Sequence, residues 1–200
     1  MSLHKKEILL LGGLFLIALA IRIYFIQFCK VISADGVGYA QIAREFISGK
    51  GLGAATHFPP LYPLLTGFMN LIVPDIELAG RLVSMIMGSL IVIPIYFLAV
   101  EFFDRKVGIL ACILSIVWPS IRFWSNQVMS QATYITLILM GIYFIWRAFK
   151  NGKSMISVGA GFFMAFSYLT RPEAFIVFFA ATTILFIFNL AERLPWKRTV

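Results

Sequence analysis

Asp35 stands in SADGVGYAQIAREFISGKG, residues 33–51, directly after a long apolar segment. Arg81, Arg122 and Arg171 stand at the borders of later apolar segments, and Glu173 follows Arg171 across a proline. A carboxylate can take a proton from an incoming hydroxyl. Guanidinium groups make bidentate, charge-assisted hydrogen bonds to phosphate. Gathered at one membrane face, these residues suit displacement of a phosphate leaving group carried by a lipid. Each also has a plainer role. Asp is a favoured helix N-cap, so Asp35 could cap the helix after it. Arg81 could snorkel to headgroups. Arg171-Pro172-Glu173 could be a turn with Pro172 starting a helix. Arg122, beside Trp118 and Trp124, reads as an interface anchor. His57 and Tyr62 are candidates for contacts with an acceptor, or ordinary residues of a proline-rich loop.

The elements that must position these residues are membrane elements. Sixty per cent of the chain is hydrophobic, 13% is charged, and the mean hydropathy is +0.91. A soluble domain could not cover that much apolar surface. Net charge is +8, yet the basic residues are scattered singly between apolar runs, which excludes a nucleic-acid face. Cys29 and Cys112 lie far apart in apolar surroundings, without metal-ligand spacing, and read as packing residues.

Residues 8–28 are long enough to span a bilayer. A basic start at His4, Lys5 and Lys6 and an Ala18-Leu19-Ala20 site resemble a signal peptide. The apolar run continues to Phe28, which favours an uncleaved anchor. Further spans are expected at about 80–103, 107–124, 131–149, 155–170 and 174–191, about six in all. Between the first two, residues 37–48 place Tyr39, Ala40, Ala43, Phe46 and Ile47 on one helical face and Gln41, Arg44, Glu45 and Ser48 on the other. That pattern predicts a helix lying in the interface plane, ended by Gly49, Gly51 and Gly53. The apolar part of 57–73 is too short to cross and predicts an interfacial or re-entrant element. The fold class expected is an all-α membrane protein: one transmembrane domain over 1–200, with interfacial helices in a 29–79 loop.

If the spans alternate, Lys5/Lys6, Arg105/Lys106, Arg147/Lys150/Lys153 and Arg193/Lys197/Arg198 fall on one side. The positive-inside rule makes that side cytoplasmic, with a cytoplasmic N-terminus. Asp35, Arg81, Arg122, Arg171 and Glu173 then face outward. Glu101 and Asp104, at the cytoplasmic end, are expected to pair with Arg105 or Lys106.

The order ADGVGYAQIAREFISG, FPPLYPLLTG, AGRLVS and LTRPEAF resembles the GT-C class of polytopic glycosyltransferases, which includes protein O-mannosyltransferases and lipid A aminoarabinose transferases. The resemblance covers nearly the whole chain. It implies a hexosyl- or pentosyltransferase of the plasma (inner) membrane that uses a polyprenyl-phosphate sugar and a lipid, glycan or protein acceptor outside the cytoplasm. By resemblance, Asp35 stands at the catalytic carboxylate of the first loop, with Arg81 and Arg171 as donor-phosphate ligands. His57, Tyr62 and Glu173 become acceptor or loop contacts. Two positions depart from the pattern: many relatives carry a second acid where Gly36 stands, and often an acid where Gln131 opens the fourth span. Dependence on a divalent metal is therefore left open, and no other cofactor is implied. Relatives are longer, so the chain is expected to be the N-terminal part of such an enzyme.

Two other classes compete. A non-catalytic scaffold of the same fold is compatible with Gly36 and Gln131. A transporter would place charges at mid-span or broken helices in matching halves. The spans after the first lack central charges, and no paired halves appear.

Overall fold

A computed structural model describes residues 5–29, 31–51, 58–151 and 154–193. The described chain is all helical. In order come α1 (Lys5–Ile26), α2 (Ala34–Ile47), α3 (Leu61–Asn70), α4 (Ile76–Leu90), α5 (Val92–Phe102), α6 (Arg105–Val117), α7 (Pro119–Ser125), α8 (Gln131–Asn151), α9 (Ser154–Thr170) and α10 (Ala174–Arg193).

Three stretches are long and apolar enough to cross a membrane: α1, the α4–α5 run Ile76–Phe102, and α8. The α6–α7 pair makes a fourth if its 60° bend is counted as one broken span. The apolar α9 and α10 occupy the last two expected positions as shorter helices. The breaks follow from proline chemistry. Trp118 precedes Pro119 and is extended (φ −61°, ψ 121°), as a pre-proline residue prefers, and Pro119 then opens α7. Pro94 has no N–H for the Leu90 carbonyl, and the α4–α5 run is interrupted there, at Ile91.

Three larger clusters make up most of the described interior. Leu11, Leu14, Ala18, Val92, Tyr96, Cys112 and Ile116 join α1 to α5 and α6. Ile138, Ile145, Ala160, Met164 and Ala174 join α8, α9 and α10. Gly141 lies against Met164 and Gly159 against Phe144, which lets α8 and α9 approach closely. A third cluster, Tyr39, Tyr62, Val83, Val128 and Met129, ties α2 and α3 to α4 and to the 126–130 loop.

The expected amphipathic helix is α2, which begins three residues earlier and so takes in Asp35. Tyr39, Ala40, Ile42 and Ala43 are buried, while Gln41 and Arg44 are exposed. Gly49 and Gly51, at φ +78° and +74°, adopt the left-handed backbone that ends it. The proline-rich stretch forms α3, ten residues long.

One expected pairing is corrected. Glu101 binds Lys150 at 2.7 Å and Arg147 at 3.3 Å, not its chain neighbours. Asp104 instead caps α6, accepting from the Val107 N–H at 2.8 Å. It stands one residue before the helix and its carboxylate reaches the orphan amides there, which holds Asp104 in the capping role.

Candidate functional site

The site is assembled where α1 ends, α2 begins and the 126–130 loop turns into α8. The cap of α2 is Ser33, whose hydroxyl accepts from the Gly36 N–H at 3.1 Å. Asp35 is thereby relieved of capping. It sits in the first turn, exposed, where the helix N-terminus favours a negative charge. Among the described residues it has no hydrogen-bond or ion-pair partner.

One turn on, the buried Tyr39 donates its phenol proton to Ser130 Oγ at 3.0 Å. Its ring meets Phe58 and Tyr62, with centroids 4.6 and 5.0 Å apart. Burial pushes the Tyr39 phenol above its usual range. The charges of Asp35 and Glu173 push the same way, while the Ser130 bond and the Arg171 charge oppose them. Tyr39 therefore stays protonated at neutral pH and keeps its bond to Ser130. The Asp35, Arg171 and Glu173 charges, from distant parts of the sequence, all act on Tyr39.

Arg171 pairs with Glu173 at 2.8 Å, and its guanidinium lies 5.9 Å from the centre of the Tyr134 ring. The pair holds the Glu173 carboxyl below its ordinary range and raises the already high value of Arg171. Both side chains reach solvent. Arg171 is thus a cation at the rim.

Arg81 is placed differently. It is buried, with Nε and Nη2 bonding Glu77 Oε1 at 3.0 and 2.7 Å. Nη1 donates to the Asn126 carbonyl at 2.9 Å, and Nη2 points to the Val31 carbonyl at 3.5 Å. It clamps three segments: α4, the loop after α7, and the strand of chain that leads into α2. Tyr62 is also internal. Its hydroxyl lies 2.9 Å from both the Gly80 carbonyl and Ser84 Oγ, and Ser84 donates to the Met129 carbonyl at 3.1 Å. Burial drives the Tyr62 phenol far upward. His57 lies outside the described residues.

The two departures from the expected acidic pattern have structural counterparts. A Cβ on Gly36 would come within 2.8 Å of Ile32 Cγ1 and 3.0 Å of the Val128 carbonyl, so the backbone of α2 packs too tightly there for a second acid. Gln131 keeps its side-chain oxygen buried and without a partner. No three His, Cys, Asp or Glu side chains gather into a metal-holding group among the described residues.

Several residues at this end were not legible as site residues. Arg22 is fully buried near the end of α1 and donates to the Ala18 and Gly88 carbonyls at 3.0 and 2.8 Å. A single arginine inside an apolar span was the available signal. Tyr39, Ser84, Ser130 and Asn126 carried none, because their roles depend on contacts between elements remote in sequence. Arg122 lies over the Phe25 ring, 3.8 Å from its centre, and lines a cavity of about 810 Å³ that also touches Ser33.

The family model described as Dolichyl-phosphate-mannose-protein mannosyltransferase matches residues 57–200. The match takes in Arg81, Arg122, Arg171 and Glu173, while Asp35 lies before it. Among curated proteins, none matches the chain.

Proposed function

The chain belongs to the dolichyl-phosphate-mannose-protein mannosyltransferase family, membrane glycosyltransferases of the GT-C type, and from that premise we propose transfer of a sugar from a polyprenyl-phosphate donor to an extracytoplasmic acceptor hydroxyl, with Asp35 as general base. Asp35 takes the hydroxyl proton as the acceptor oxygen forms its bond to the anomeric carbon. The bond from that carbon to the phosphate oxygen breaks, and its electron pair leaves on the lipid phosphate. Attack opposite the leaving group inverts the anomeric centre. Arg171 meets the phosphate from the rim. Arg81 acts from behind, fixing the Val31 and Asn126 carbonyls on either side of the site. The basic clusters at the other end of the bundle are cytoplasmic, and the protein resides in the plasma membrane.

The freedom of Asp35 carries this reading. A carboxylate needed only for the helix would bond its amides, and Ser33 does that instead. The test is Asp35→Asn in membranes supplied with labelled polyprenyl-phosphate sugar and hydroxyl-bearing acceptors. Loss of a positioned base should lower the transfer rate by about two orders of magnitude or more. Near-normal transfer by a stably folded variant would return Asp35 to a structural role and favour the scaffold alternative.

A further inference from the structure

Four cations stand at the end of the bundle remote from Asp35: Lys5 and Lys6 in the first turn of α1, Arg105 and Lys106 in the first turn of α6. The two helix starts are neighbours. Buried Tyr96 reaches both: its hydroxyl donates to Glu7 Oε1 at 3.4 Å, and a Cβ on Gly108 would come within 3.2 Å of its ring. All four cations are exposed, and none has an ion pair among the described residues. The two acids of this corner have other tasks. Glu7 receives Tyr96, and Asp104 caps α6 through the Val107 N–H. The placement also works against the helices, because a helix N-terminus carries partial positive charge and disfavours cations in its first turn. Arg147 and Lys150 show the contrast, since Glu101 holds both.

Beside the charges the surface turns apolar. Ile8 and Leu9 on α1, Phe103 at the turn into α6 and Leu110 on α6 are all exposed. Against the four cations stand only Glu7 and Asp104, so the corner carries two more positive charges than negative ones, four less two. A partner that satisfies it must bring negative charge at the level of the helix starts and apolar chains next to it. A soluble anion lacks the chains, and a zwitterionic lipid lacks the net charge. An anionic phospholipid has both. We propose that the α1–α6 corner binds an anionic phospholipid of the phosphatidylglycerol class, its phosphate between the two basic pairs and its acyl chains along Ile8, Leu9 and Leu110. Each Lys or Arg at a membrane surface strengthens attraction to anionic lipid by about fivefold. Cations that only orient the spans need no common location at the border; here two pairs distant in sequence converge. The site depends on residence in a membrane and not on the sugar-transfer reading.

The test is equilibrium binding of a fluorescent phosphatidylglycerol to the full chain in uncharged maltoside micelles. Unlabelled phosphatidylglycerol should compete at least about tenfold better than phosphatidylcholine. Arg105→Gln/Lys106→Gln, which leaves Lys5 and Lys6 to orient the first span, should weaken binding by about 10–30-fold. Lys150→Gln should stay within about twofold, because Glu101 already holds that charge. Equal competition by the two lipids, or unchanged affinity in the double variant, overturns the site. An equal loss in Lys150→Gln does so too, since the attraction would then belong to the whole basic end. Inorganic phosphate displacing the probe as well as unlabelled lipid would reduce the corner to a plain anion site and overturn the lipid assignment. Should the double variant fail to fold, the unaltered chain decides. Raising monovalent salt from about 0.05 to about 0.5 M should weaken its binding at least about fivefold, and salt-independent affinity overturns the site. Asp35→Asn should bind the probe as the unaltered chain does, so lost transfer in that variant bears on the base alone.

Discussion

The two ends of the bundle hold similar charges in opposite ways. Beside α5 and α8, the Glu101 carboxylate accepts from Lys150, Arg147 and the Trp146 indole, at 2.7, 3.3 and 3.3 Å. One carboxylate is shared there between two cations. At the α2 end the cations are dispersed: Arg81 to Glu77 and two carbonyls, Arg122 to an aromatic face, Arg171 to Glu173. Asp35, at the start of α2, is left without a partner among the described residues. Pairing is what separates a closed electrostatic contact from a carboxylate left open to chemistry. Surface pairs contribute little to stability, whereas an unpaired carboxylate keeps its oxygens free to accept a proton.

The comparison breaks most readily at its carboxylates. Asp35→Asn should cost transfer about 100-fold or more, while Glu101→Gln should leave the rate within about twofold in the same membrane assay. Equal losses would dissolve the distinction between the ends. Next in size is the clamp. Arg81→Gln removes a buried charge and strands Glu77 and two carbonyls, so unfolding in detergent should shift by about 2–3 kcal/mol. A smaller effect is expected at the tight start of α2. Gly36→Ala must displace Ile32 or the loop carbonyl of Val128, at a cost of about 1–2 kcal/mol. The smallest concerns Arg171–Glu173. Because the Arg171 guanidinium holds the folded Glu173 carboxyl below its ordinary range, its contribution is present above the unfolded value and lost as pH falls through the lower folded one. The pair reaches solvent, so Glu173→Gln should remove less than about 1 kcal/mol at neutral pH and flatten the acid limb of the stability curve.

Much of this was legible in the sequence, and the limit was distance along the chain. Hydropathy gave the helical class. The period of residues 37–48 gave α2 and the Tyr39, Ala40 and Ala43 part of its buried face, because that pattern is local, while Ile47 is exposed and Ile42 is buried. Asp35 was visible as an acid at a segment exit. Its freedom was not, since Ser and Asp are both good caps and either could have bonded the first-turn amides. The arginines were harder to read. Arg81, Arg122 and Arg171 look alike as border residues. Only contacts reaching 45 and 50 residues away, to Asn126 and Val31, turn the first into a clamp. Hydropathy also blurs the breaks at Ile91 and Trp118, because a proline among apolar residues barely lowers a window average while it redirects the backbone.

Arg22 has a consequence for how the protein is made. A lone α1 entering the bilayer would carry a guanidinium with a single intrahelical carbonyl, that of Ala18, to receive it. The second acceptor, Gly88, belongs to α4 and is synthesised 66 residues later. The first segment should therefore be held at the insertion machinery, or keep its arginine near the watery edge, until α4 arrives, so the two would leave the translocation channel as a pair. Grafting a generic leucine-rich leader in place of α1 would let the chain insert early, and would remove the contact that dictates which later helix it meets.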